Sequence, residues 1–489
     1  MEREQLQDAI GKVDDSLTAE TDRILRKGVR KLPVWTRLVA AAAAICLVAG
    51  GVLFWGKTKP GPRQEAVVLA QPIYPERAAR PIEEDYMKQD GSFDNDGYDE
   101  AYDPWAEEAF KRRQLQPEPD QALLNFTDKL SRQILAEDDG ENHLYSPLNI
   151  YLCLAMLAET TGGETREEIL SALEVDTIED LRTKAANMWE AQYIDDGVSI
   201  SKLASSVWLD DSLQIRPETM KLLADIYMAS AFQGDLPSKR MSEKLRSWLN
   251  EQTGGLLEES IKGVGFDQET VMALSTTILF KDDWQNEFYE GSTKPGVFHS
   301  PDGDIEVDFM SEKKLNQYYW GDSFSAIGRS LSSSGRMMFI LPDEGVEVTS
   351  LLSDPQVKSL LGSSISRPYP QQKDLMVNLK VPKFDIASGN ISLAEALEQL
   401  GIRRAFTTGM ADFSPTTAED EGLFVSDVFH SARVMIDEKG VTGAAFTLML
   451  CAAGKPTGEE IDLIFDWPFL FVVQGTGNMP LFVGIVNQP

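Results

Sequence analysis

The sequence predicts an α+β domain, with helices toward its N-terminal side followed by large mixed and antiparallel β-sheets. Apolar residues make up 42% of a 489-residue chain, enough for a sizeable core. Helical periodicity leads in 121–136, 147–158 and 216–230. Strand-like runs then dominate at 271–280, 337–341, 375–381, 431–436 and 470–486. Helices first and strands later is an α+β order, and no fixed-period repeat interrupts it.

The N-terminal part divides into three pieces. Residues 1–37 are polar and charged, and Arg26, Lys27, Arg30, Lys31 and Arg37 form a basic group. Residues 38–55 carry no charge across 18 positions, and Trp35 and Trp55 bracket them. That length just crosses a bilayer as a helix, and the basic side sets the orientation. The expectation is a cytoplasmic tail at 1–37, a transmembrane helix at 38–55 and everything after it extracellular, so a single-pass protein of the cell membrane. Residues 56–120 hold prolines, acids and scattered aromatics without a lasting period, which predicts an extended acidic linker. Within it, YDPWAEEAF at 102–110 can form a short docking helix, but a solvated linker is the expected state. The globular texture begins at Gln121 and runs to Pro489.

Composition excludes several function classes. A net charge of −32 with no basic cluster in the large domain excludes a nucleic-acid partner. Cys46, Cys153 and Cys451 are far apart, which excludes a disulfide framework and a zinc ribbon; so few cysteines suit a bacterial surface protein. The histidines are His143, His299 and His430, and no HExxH, GxSxG, P-loop or helix-opening GxGxxG is present. Ser311 and Lys314 have SxxK spacing in a polar run, which reads as an exposed turn. Asp412, Glu419, Asp420 and Glu421 read as a solvated acidic loop rather than a cation site. No catalytic residue, cofactor or metal is expected, and a binding or inhibitory role is favoured.

A series of short blocks stands in one order from Tyr145 onward. They are Tyr145-Ser146-Pro147-Leu148-Asn149-Ile150, Ala155-Met156-Leu157 and Gly163-x-Thr165-x-x-Glu168-Ile169. Trp248-Leu249 with Thr253-x-Gly255 follows, then Phe280-Lys281-Asp282-Asp283-Trp284, Pro382-Lys383-Phe384, Leu400-Gly401-Ile402 and Asp412-Phe413-Ser414. Val425-Ser426-Asp427-Val428-Phe429-His430, Asp437-Glu438-Lys439-Gly440 and Trp467-Pro468-Phe469-Leu470-Phe471 complete it. In this series, residues 121–489 resemble the serpins, inhibitors that act as suicide substrates.

The residues of 438–456 fit that resemblance on their own chemistry. No charge lies between Gly440 and Lys455, and the stretch begins with small and β-branched residues, so it reads as a loop that can also be a strand. In a strand, Val441, Gly443, Ala445, Thr447, Met449 and Cys451 share one face.

The resemblance implies an exposed reactive-centre loop that is cut by a target serine protease, forms an acyl-enzyme, and inserts into a sheet before water releases the protease. It implies a loop hinge at Glu438, Gly440, Val441, Gly443, Ala444 and Ala445. The reactive bond falls among Ala453, Gly454 and Lys455. A shutter beneath the opening of the sheet matches Ser146, Asn149, Thr276 and His430, and a breach at its top matches Trp284. The family usually has a second Ser where Asn149 stands and an Asn where Thr276 stands, so the two exchanges are expected to compensate. Val441 replaces the usual hinge Thr, Gly443 an Ala, and Phe446 is bulky; neither charge nor Pro enters the hinge before Lys455. The partners implied are an elastase-like or subtilisin-like serine protease in covalent complex and the membrane through 38–55, with the chain a monomer. The competing reading is a serpin-fold extracellular sensor or binding domain of a membrane protein that inhibits nothing.

Overall fold

A computed structural model describes residues 66–136, 139–333, 335–418, 423–425, 428–441 and 459–489. The tail at 1–37, the apolar segment at 38–55, and the loop residues Gly443, Ala444, Ala445, Ala453, Gly454 and Lys455 lie outside the described residues. Gln64–Pro489 forms one compact unit.

Helices come mostly first among the described residues: α1 Asn95–Leu115, α2 Gln121–Ile134, α3 Pro147–Thr160, α4 Gly163–Ala172, α5 Ile178–Gln192, α6 Pro217–Tyr227 and α7 Lys239–Gln252, then the short α8 Pro355–Leu361 and α9 Ala394–Gln399. Local chemistry starts them. The Asp120 carboxylate caps α2 by accepting from the Leu123 N–H at 2.8 Å, and Leu123, Phe126, Leu130 and Ile134 give the helix its buried stripe. Ser146 caps α3, whose first residue is Pro147. All of α3 is buried, as a helix apolar on every side must be.

Two sheets follow. The eight-stranded sheet contains β1 Val67–Ala70, β3 Ile194–Asp195, β4 Ile200–Asp210, β5 Ala229–Gly234, β6 Met272–Asp283, β12 Phe384–Ser392, β13 Phe429–Ile436 and β14 Gly440–Val441. Its order is β1-β5-β4-β6-β14-β13-β12, with β3 beside β4. The nine-stranded sheet contains β2 His143–Tyr145, β7 Lys294–Ser300, β8 Gly303–Trp320, β9 Phe324–Ser330, β10 Arg336–Pro342, β11 Gln372–Pro382, β15 Glu460–Ile464, β16 Phe469–Gln474 and β17 Pro480–Val486. Its order is β15-β11-β8-β9-β10-β16-β17-β2, with β7 beside β8. Among the described residues, only β4–β5 and β11–β15 pair in parallel. One buried apolar cluster joins α2 and α3 to both sheets.

Two expectations are corrected here. The stretch read as an extended linker is ordered from Val67. β1 adds an antiparallel strand to the edge of β5, and α1 runs for 21 residues through Pro104. Its grip on the rest of the chain comes from single residues. The Arg77 side chain, 5% exposed, lies between Glu190 at 2.8 Å and Glu108 at 3.3 Å, over the Tyr193 ring. Tyr74 stacks on Tyr193. Isolated contacts of this kind leave no periodic trace in a sequence.

The single-pass placement at a cell membrane is the second correction. No helix among the described residues is long and apolar enough to cross a bilayer. α1 has the length but carries Glu107, Glu108, Lys111, Arg112 and Arg113. The apolar segment on which the expectation rested, 38–55, is outside the described residues.

Candidate functional site: a two-residue strand held between β6 and β13

The ladder between β6 and β13 runs through β14. Val441 pairs with Asp282 of β6 on one side and with Ile436 of β13 on the other, both antiparallel. Gly440 pairs with Asp283, and glycine is required there by close approach. A Cβ would stand 2.7 Å from the Asp283 Cα and strike the Asp282 carbonyl oxygen. Val441 is buried in the main core. Of the expected hinge, then, Glu438, Gly440 and Val441 are placed at this end of the sheet, which we call its mouth.

Charged groups surround the mouth. The Glu438 carboxylate accepts from the Thr293 hydroxyl at 2.8 Å and pairs with Lys383 at 3.0 Å. Partial burial opposes its ionisation, but Thr293 and Lys383 outweigh that and hold its carboxyl below the usual range. Trp284, expected at the breach, donates its Nε1–H to the Asp437 carbonyl at 2.9 Å and its backbone N–H to the Lys439 carbonyl at 2.8 Å. It thereby fixes the turn that delivers β14. Arg329 lies over the Trp284 and Phe288 rings and is paired with Glu312. Burial disfavours both charges, yet the guanidinium keeps the Glu312 carboxyl below its ordinary value.

Asp282 is fully buried. Its Oδ1 accepts from the Ser199 hydroxyl at 2.8 Å; its Oδ2 accepts from the Ser333 N–H at 3.2 Å and from the Ser333 hydroxyl. Burial pushes its carboxyl up to about 6 despite these donors. Neither Asp282 nor Arg329 was singled out by sequence reasoning. Asp282 stood inside a motif block, but Arg329 had no signal, since its partners Glu312, Trp284 and Phe288 share no fixed spacing from it.

The four residues expected as a shutter do meet, lower on the same strands. His430 Nε2 accepts the Ser146 backbone N–H at 3.0 Å. Burial drives its imidazole down to about 4, so it stays neutral. The Thr276 hydroxyl donates to the Asn149 carbonyl oxygen at 3.3 Å. The exchange of residue types therefore compensates only in part. Thr276 reaches the main chain of Asn149, while Asn149 Nδ2 is buried without a partner among the described residues. A cavity of about 410 Å³, lined by Trp208, Leu249, Ile261, Thr276, Thr277 and Ser431 among others, separates α7 from this part of β6 and β13.

Comparison with known proteins follows this architecture closely. The family profile Serpin (serine protease inhibitor) matches residues 121–489. Serpin-ZX of Arabidopsis thaliana is 28% identical over 372 residues, 73% of this chain and 94% of its own length. Serpin-Z4 of the same plant is 29% identical over 375 residues, covering 72% and 93%. Among solved structures, the native state of the thermophilic serpin Tengpin superposes with a TM-score of 0.66 at 25% identity, covering 76% of this chain and 97% of its own. Arabidopsis AtSerpin1 in its native stressed conformation gives 0.65 at 26%, covering 77% and 98%. Both of these curated relatives are plant serpins, which gives the expected bacterial, membrane-anchored origin no support. With its profile match, its relatives and its two sheets in agreement, the chain belongs to the serpin family.

Proposed function

We propose that this serpin inhibits a serine protease as a suicide substrate, with residues 442–458 as bait and β6 and β13 as the strands that receive the cut loop. The observation that carries the reading is β14, a two-residue strand already paired on both sides. Continued in the same register, each loop residue after Val441 faces the preceding residue on β13 and on β6. Each added residue then gains main-chain hydrogen bonds worth roughly 0.5–1.5 kcal/mol net apiece. The small side chains of Gly443, Ala444 and Ala445 suit passage between two strands. The protease, joined to the loop as an acyl-enzyme, is carried along, and strain on its oxyanion site keeps water from completing hydrolysis.

The bait bond is placed among Ala453, Gly454 and Lys455, most favourably Gly454-Lys455. Small residues before it suit elastase-like and subtilisin-like enzymes, and Pro456 hinders a trypsin-like cut after Lys455. Incubation of the chain with a protease panel tests both points. The expected result is an SDS-resistant complex and a released C-terminal fragment beginning at 454–456. Turnover of the loop by every protease, with no complex, would overturn the inhibitory reading; rapid trypsin trapping with slow elastase trapping would overturn the specificity.

A further inference from the structure

The residues before the serpin match make contacts that converge on the mouth of the sheet. The Arg80 N–H donates to the Asp196 carbonyl at 2.7 Å, and its guanidinium reaches the Ser332 carbonyl at 3.5 Å while lying over the Trp105 ring. Trp105 donates its Nε1–H to Asp196 Oδ2 at 2.9 Å. The other oxygen of Asp196 accepts the backbone N–H groups of Val198, at 3.1 Å, and Ser199, at 2.8 Å. Ser199 then donates its hydroxyl to Asp282, the residue paired with Val441. Ser332, beside the Ser333 that also holds Asp282, donates its N–H to the Asp283 carbonyl at 2.9 Å. One segment therefore touches two of the pieces that position the lip of β6: the turn before β4 and the turn between β9 and β10.

The segment is also fastened away from the mouth. β1 is zipped to β5 at the far edge of the same sheet. Arg77 ties α1 to α5 through Glu108 and Glu190. At its other end, Gly477 packs so closely on the Gln116 carbonyl that a Cβ would collide with it.

We propose that residues 66–116 are a brace on the mouth of the sheet, with Arg80 and Trp105 as positioning residues that act through Asp196 and Ser199 on the Asp282–Val441 pair. Extending β14 requires β6 to move away from β13. The brace resists that movement by holding Asp282 to turns that do not belong to the opening. It keeps the uncut loop out of the sheet until cleavage frees the loop end. The role rests on the proposed insertion mechanism, but its test does not depend on protease trapping.

The full chain, its Trp105→Phe variant and the Arg80→Ala/Trp105→Ala double variant are held at a warm, sub-denaturing temperature. At intervals, the fraction whose 442–458 loop a non-specific protease still cuts is measured, together with thermal unfolding of the uncut protein. The expected result is that cleavable protein disappears roughly tenfold faster in the double variant and several-fold faster in Trp105→Phe. The product should be uncut, cleavage-resistant and more heat-stable. Equal lifetimes within about twofold in folded proteins overturn the brace. So does a variant that merely unfolds at a lower temperature without forming the heat-stable species. Fresh wild-type protein that traps no protease sinks the inhibitory reading, while the lifetimes still judge the brace.

Discussion

Near its mouth, the opening between β6 and β13 is lined with charge and crowded with partners. Asp282 has three donors, Glu438 has Lys383 and Thr293, and Arg329 has Glu312 and two aromatic faces, while Asp283 Oδ1 alone of these groups is buried without a partner among the described residues. Lower on the same strands, the chemistry is neutral and undersupplied. His430 is held uncharged, and Asn149 Nδ2 and Thr277 Oγ1 are buried without partners among the described residues. The difference suits two tasks. A paired, charged mouth resists opening until something strong enough displaces it. Spare polar groups below cost stability while the sheet is closed and can be satisfied by an inserted main chain.

The largest expected effect comes from sending a charge through the mouth. Ala444→Arg places a guanidinium without a partner in the first part of the loop to enter. Burying it costs several kcal/mol, which slows insertion by on the order of a thousandfold. Deacylation then wins. Gel quantification should show loop turnover in place of covalent complex, and an unchanged stoichiometry of inhibition would remove the hinge from the mechanism.

Next in size, Arg329→Ala removes the cation over the Trp284 and Phe288 rings and leaves the buried Glu312 with Lys314, at 2.9 Å, as its remaining ion-pair partner. A loss of about 2–4 kcal/mol of stability is expected by denaturant titration, from the lost packing and the weakened buried pair. A loss under about 1 kcal/mol would mean that the mouth is not held by this pair.

The two regions should also answer pH with opposite signs. His430 has a folded value near 4, below its ordinary 6.5. The unfolded chain binds the extra proton, so this contribution weakens stability as pH falls from 6.5 to 4. Asp282 has a folded value near 6, above its ordinary 3.8. The folded chain binds the extra proton, so this contribution weakens stability as pH rises from 3.8 to 6. Each swing is about 3 kcal/mol. Asp282→Asn should therefore make stability climb more steeply from pH 4 to 7 than in wild type, and His430→Gln should make it climb less. Chemical denaturation at both pH values checks this, and equal slopes in all three proteins would contradict it.

The smallest effect is at the unpartnered amide. Asn149→Leu removes a buried donor at similar volume and should stabilise the uncut protein by about 1 kcal/mol. Destabilisation of that size would show that the amide already has a partner.

The fold was legible where physics repeats. Periodic helices at α2, α3 and α6, and apolar strands such as β6, β10, β11 and β13, announced themselves. The strand-like run at 470–486 is the hairpin β16–β17, turned at Thr476–Asn478 where Gly477 has a positive φ. The shutter and Trp284 were named from motif blocks; the four shutter residues do meet one another, and Trp284 stands apart from them at the mouth. The proposed brace was legible only as the docking helix allowed at 102–110, which lies inside α1 and includes Trp105. β1 has only four residues, α1 contains Pro104, and the contacts of Arg77, Arg80 and Trp105 have no period to detect.

The central claim is that the cut loop becomes a strand between β6 and β13. Cleavage within 442–458 by a protease the chain does not trap, followed by thermal unfolding of cut and uncut protein, tests it directly. The account predicts that the cut protein unfolds at a distinctly higher temperature, because the new strand fills the sheet. An equal or lower unfolding temperature after clean cleavage would contradict it.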